Sequence, residues 1–119
     1  MTSEQYYDGC KRTWSNKGDN LEHCVYGLIT ESAEILDMLK KHKFYGRELD
    51  MVNLREELGD LEYYMSILYK EIGYSQDEAR IDNIAKLSKR YPDKFKDKVV
   101  RDVEDELSHI DNKPIIKGL

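Results

Sequence analysis

Hydrophobic positions recur along the chain at steps of three and four, most clearly in its middle. Met51, Leu54, Leu58, Leu61, Met65, Leu68 and Ile72 alternate these steps without a break, which predicts a helix packed along its whole length. Asp50 is a good cap before it and Gly73 a stop after it. A preceding helix is predicted from Asp19 to about His42. Asp19 and Glu22 make a capping-box pattern, Leu21, Val25, Leu28, Ile29, Ile35, Leu36 and Leu39 form an apolar stripe, and Lys40, Lys41 and His42 suit the C-terminal dipole. Residues 43–50 read as a loop containing Gly46.

A first helix over residues 3–14 is expected, with Ser3 as cap and an aromatic face of Tyr6, Tyr7, Cys10 and Trp14. Ser75 and Glu78 open a fourth helix that ends at Pro92 and carries Ile81, Ile84, Ala85, Leu87 and Tyr91. Beyond Phe95, Val99, Val100, Val103 and Leu107 suggest a last short helix, followed by a tail or an arm that docks on a partner subunit. No stretch alternates with a period of two, so the fold class is all-α, an antiparallel helical bundle. One domain over residues 1–119 is expected, with a core at about 3–95 and a C-terminal helix and tail at 96–119.

Composition narrows the classes. With 119 residues the chain is too short for an α/β barrel, and so small a core would gain from self-association. A net charge of -5 disfavours sequence-independent nucleic-acid binding, which depends on neutralising phosphates. It is compatible with nucleotides if metal ions offset the carboxylates. No apolar run is long enough to span a bilayer and the N-terminus lacks a signal-peptide core, so a cytoplasmic protein without a membrane partner is expected. Cys10 and Cys24 lie in no metal-ligand spacing and read as buried reduced thiols.

The informative chemistry is acidic. Glu31 and Glu34 are three apart on the second helix, and Glu57 and Asp60 three apart on the third, so each pair projects from one face. Both pairs sit on same-handed flanks of their apolar stripes, and antiparallel packing of those stripes brings the flanks together. The two pairs are nearly equidistant from a loop centre near residue 46, with a mismatch of only about 3 Å at 1.5 Å per residue. Four converging carboxylates repel unless a hard divalent cation neutralises them, and Mg²⁺ prefers such oxygens. The plainer alternative makes them solvated charges, or ion-pair partners of Lys40, Arg55 or Lys86. A di-iron site is disfavoured, because neither helix offers a His at the required spacing.

GLITESAEILDMLKK, NLREELGDLEYYMSIL and NIAKLSKRYPDKF, taken in order, resemble the MazG-like family of all-α nucleoside triphosphate pyrophosphohydrolases, from about Tyr6 to Phe95. The resemblance implies hydrolysis of a (d)NTP to (d)NMP and pyrophosphate by metal-activated water, with Mg²⁺ as cofactor and Mn²⁺ as a substitute. It implies Glu31, Glu34, Glu57 and Asp60 as metal ligands, Asn83 and Lys86 as phosphate or nucleotide contacts, and a homodimer or homotetramer. Many members carry a further acid where this chain has Thr30. That departure leaves the general base to Glu31 or Glu34. The implied role is nucleotide-pool cleaning, or control of a signalling nucleotide, in a bacterium or phage.

Arg90 shares the polar stripe of Asn83 and Lys86 and is a further substrate-binding candidate, a solvated face being the alternative. Trp14, Tyr6, Tyr45 and Tyr64 are candidate base-stacking rings against a background of ordinary packing. Tyr64 stands out because it follows Asp60 by one turn. His23, His42 and His109 read as surface or capping residues. Two rival readings are a helical interaction module with no metal dependence, and a MazG-like hydrolase of another phosphoanhydride such as an alarmone or a nucleoside diphosphate.

Overall fold

A computed structural model describes residues 1–93, so the predicted helix and tail at 96–119, with His109, lie outside the described residues. Its compact units are residues 1–72 and 73–119. The described residues are all-helical: α1 (Ser3–Lys11), α2 (Asn20–Tyr45) and α3 (Met51–Ile72) in the first unit, and α4 (Gln76–Arg90) in the second.

Capping chemistry accounts for the helix ends. Thr2, not the predicted Ser3, opens α1 through a reciprocal box with Gln5, and α1 ends at Lys11, short of Trp14. Thr2 is favoured because its partner three residues on is a Gln that can reach back to the cap's own N–H. Asp19 accepts from the Glu22 N–H at the start of α2. That helix runs three residues past His42, because the chain first finds a left-handed position at Gly46, with φ 65°. The His42 ring meets the Arg47 carbonyl at 2.7 Å and ties down this terminus. Asp50 caps α3 through the Asn53 N–H, and Gly73, at φ 68°, ends it. Ser75 and Glu78 form the full capping box of α4.

In the first unit α3 packs against both α2 and α1. Its core is small: Cys10, Cys24 and Ile67, with Tyr6, Tyr7, Trp14, Tyr63 and Leu68 packed around them. Both thiols are free and buried. Trp14 Nε1 donates to Asn20 Oδ1 at 3.2 Å, and Asn20 Nδ2 donates to Glu71 Oε2 at 3.3 Å, linking the segment after α1 to α2 and α3. His23 is not a simple surface residue: its ring lies 4.5 Å from that of Trp14 and joins the aromatic packing.

Only part of each apolar stripe is covered: Leu21, Leu28 and Ile35 of α2 and Leu54, Leu61, Met65, Leu68 and Ile72 of α3 are half-buried. Ile29 is 66% exposed and Leu36 67%, and Val25, Leu39, Met51 and Leu58 are exposed as well. A different face of α2 packs on α3. Asn20 faces Glu71, Cys24 clusters with Ile67, Gly27 meets Tyr64, and Met38 meets Asn53. Steps of four, three, eleven along α2 are matched by equal steps backwards along α3. This is an antiparallel seam with the alternating periodicity of a coiled coil. The acidic residues fall in the remaining gap of that seam.

Candidate functional site

The seam places Glu31 opposite Asp60 and Glu34 opposite Glu57, between the Gly27–Tyr64 layer and the Met38–Asn53 layer. One carboxylate oxygen each from Glu31, Glu57 and Asp60 lies within 4.8 Å of the others. Glu34 stands beside this group, close enough to feel the charges of Glu57 and Asp60. The expected register is therefore present, but Glu31 and Glu57 lie within the helix–helix contact, not on its flank. The reason is that α2 turns its small residues, Cys24 and Gly27, towards α3, and these share a face with Glu31.

Glu57 is buried, at 7% exposure, and Glu31 is half-buried, whereas Glu34 and Asp60 are exposed. Oε2 of Glu31 and Oε2 of Glu57 are both enclosed and have no hydrogen-bond partner among the described residues. No lysine or arginine forms an ion pair with any of the four among the described residues; Lys40 and Lys41 instead hold Asp37, at 3.4 and 2.7 Å. Hydrogen bonding to Glu57 and the charge on it raise the Glu34 carboxyl above the usual glutamate range. Hydrogen bonding to Glu31 raises Glu57, against a lowering contribution from Glu34, with burial adding to the rise. Buried acid oxygens without donors are costly, and a hard cation supplies what the protein does not. Four oxygen donors with no nitrogen or sulfur suit Mg²⁺ or Mn²⁺.

Tyr64 closes one end of the acidic layers. Its ring lies so close to Gly27 that a Cβ there would fall 2.3 Å from the nearest ring carbon. Tyr63 is edge-on to it at 5.4 Å, and Trp14 and His23 stand at 6.3 and 6.2 Å. Burial foremost, then the charge on Glu31, raises its phenol. Tyr6, on α1, is pushed up to about 12, by burial first and then by its hydrogen bond with Cys10. The ring of Tyr45 is exposed at the far end of α2. Thr30 donates its hydroxyl to the Gly27 carbonyl at 3.1 Å and is occupied there.

Asn83, Lys86 and Arg90 share one face of α4, with Asn83 exposed and Lys86 and Arg90 half-buried. They belong to the second unit and are placed by that helix alone. The sequence reading did not single out Gly27, Met38 or Asn53. Their signal was the spacing of the acids themselves, since continuing the 31/34 and 57/60 steps outward by alternating four and three reaches each of them.

No helix among the described residues is long and apolar enough to cross a membrane. No curated protein and no solved structure matches the chain. The model of the MazG nucleotide pyrophosphohydrolase domain matches residues 19–95, a span that contains all four acids, Tyr64 and the polar face of α4. An all-helical chain with paired acids on two antiparallel helices, matched over most of its length, belongs to the MazG nucleotide pyrophosphohydrolase family.

Proposed function

We propose that this protein is a Mg²⁺-dependent pyrophosphohydrolase that converts a (d)NTP to the (d)NMP and pyrophosphate. The observation that carries this reading is the pair of facing acidic layers inside a helix–helix seam. Glu57 is there 7% exposed, with one oxygen lacking a hydrogen-bond partner among the described residues. A seam position is worth an apolar side chain to stability, and four acids in its place make physical sense around cations. Glu31, Glu34, Glu57 and Asp60 would hold Mg²⁺, with Mn²⁺ as a substitute. The bound cation supplies charge neutralisation for the phosphates and a more acidic water.

The protein's own part is to position and to take a proton. Water attacks the α-phosphorus, the bond to the β-phosphate oxygen breaks, and pyrophosphate leaves. Glu34 is the exposed acid of the buried layer and takes the water's proton, with Glu31 as the other catalytic acid. Tyr64 borders the nucleotide; Asn83 and Lys86, with Arg90 on the same face of α4, are carried over from the family resemblance as phosphate or nucleotide contacts. The exposed Val25, Ile29, Leu36, Leu39 and Leu58 support a homodimer or homotetramer. The cytoplasm, where nucleoside triphosphates are abundant, is the place of action.

The test is pyrophosphate release from a panel of canonical NTPs and dNTPs with Mg²⁺, comparing wild type with Glu34→Gln. Metal-dependent release lost in the variant is expected. Metal binding without release from any nucleotide would favour another phosphoanhydride as substrate. Absence of metal binding would leave the interaction module.

A further inference from the structure

The layer beyond Glu34 and Glu57 holds a polar group that the acidic motifs do not include. Asn53 is half-buried on the seam face of α3, one turn before Glu57. Its backbone is fixed, because its N–H donates to the Asp50 carboxylate at 3.0 Å in the cap of α3. Its carboxamide makes one hydrogen bond among the described residues, from Nδ2 to the Met38 thioether at 3.2 Å.

That arrangement is unusual for a seam asparagine. Such a residue costs stability, and where it serves to set helix register it does so through a polar partner across the seam. Here the partner is a thioether, a weak acceptor, so most of the bonding capacity of the amide is unspent. At i and i+4 the Cβ atoms of Asn53 and Glu57 are about 5–6 Å apart, so the two side chains are neighbours on one helix face. The site also suits the amide chemically. A lysine would neutralise the acids and compete with a cation, and another acid would add to their repulsion. An amide oxygen adds an acceptor without charge.

We propose that Asn53 is a further positioning residue of the acidic site, its carboxamide oxygen accepting a hydrogen bond from a water of the cation's hydration shell beside Glu57. This rests on the proposed function. Mg²⁺ and Mn²⁺ keep several waters when bound by carboxylates, and residues that orient such waters contribute to affinity without touching the metal.

The experiment is Mn²⁺ binding by titration calorimetry to the full chain, with melting temperatures alongside, for wild type, Asn53→Leu, Asn53→Asp and Met38→Leu. Asn53→Leu keeps the volume and fits an apolar seam, so its fold is retained while Mn²⁺ affinity falls about 10-fold or more. Asn53→Asp keeps the oxygen and retains affinity, and Met38→Leu leaves affinity unchanged. Wild-type affinity in folded Asn53→Leu would overturn the proposal. So would an equal loss in Asn53→Asp, or a loss in Met38→Leu as large as in Asn53→Leu. If Asn53→Leu does not fold, Asn53→Ala is read by the same criteria. A wild type that binds no Mn²⁺ would instead refute the proposed function itself.

Discussion

Replacing Gly27 by alanine puts a methyl group where the structure has a ring. The added Cβ would lie 2.3, 2.4 and 2.5 Å from three carbons of Tyr64, against 3.4–4 Å for ordinary contact. The ring cannot simply slide away, because Trp14, Tyr63 and His23 pack around it. Overpacking of this kind costs about 1–3 kcal/mol. Alanine recovers up to about 1 kcal/mol, because it is the better helix former. Steric cost wins, and the net loss expected is about 1–2 kcal/mol. At about 4–8 °C per kcal/mol for a unit of this size, the melting temperature falls by about 4–16 °C. Tyr64 feels the charge of Glu31 and Asp60, so its displacement also disturbs the acidic end of the seam. Thermal unfolding by circular dichroism measures the loss, and the double variant Gly27→Ala/Tyr64→Ala checks its cause. With the ring gone the methyl has room, so the two changes together cost less than their sum by about 1 kcal/mol. A Gly27→Ala protein that melts at or above the wild-type temperature, or strictly additive losses, would refute the close approach as the reason for this glycine.

Three further outcomes are expected. Glu34 and Glu57 hold their protons more tightly folded than unfolded, so in metal-free protein stability falls as pH rises through and just above the ordinary glutamate value of 4.5. With metal chelated, Glu34→Gln should therefore melt above wild type at neutral pH, with the gap closing on acidification; a variant melting below wild type at neutral pH would contradict mutual repulsion at the site. Cys24 is fully buried, and burial, with some help from Glu71, pushes its thiol up to about 11, so a thiol reagent at neutral pH should label native Cys10 and Cys24 only as fast as the protein opens. Rapid labelling of native protein, read by mass spectrometry, would count against that core. Finally, Ile29→Lys or Leu36→Lys should shift the protein to monomer in light scattering with helicity kept, since both side chains are about two-thirds exposed in the single chain. An unchanged assembly would place the subunit interface elsewhere.

Much of the local structure is written in the chain, and the reasons are short-range. Asp19, Asp50, Ser75, Gly46 and Gly73 mark helix ends because capping and left-handed turns involve residues only a few positions apart. The convergence of Glu31, Glu34, Glu57 and Asp60 is legible too, because loop length sets the register of an antiparallel pair. At α1 the cap is Thr2 and not Ser3, although both residue types suit the position, because only Thr2 has a Gln three residues on to complete the box.

Periodicity does not say which face of a helix meets which neighbour. Both long helices carry a rich apolar stripe, and from the sequence alone the stripes are the natural contact. The folded chain instead packs α2 on α3 through Cys24, Gly27, Ile67 and Tyr64, leaving Ile29 and Leu36 in the open. A small residue facing a large one lets two backbones approach closely, and that gain depends on the partner across the seam. The sequence alone thus determined α2, α3 and α4, the caps at Asp19, Asp50 and Ser75, and the meeting of the acids. Only the tertiary structure decided that Glu31 and Glu57 lie inside the seam with unpartnered oxygens, and that Tyr64 and Asn53 stand on either side, because burial is a property of surfaces in contact and not of spacing along one chain.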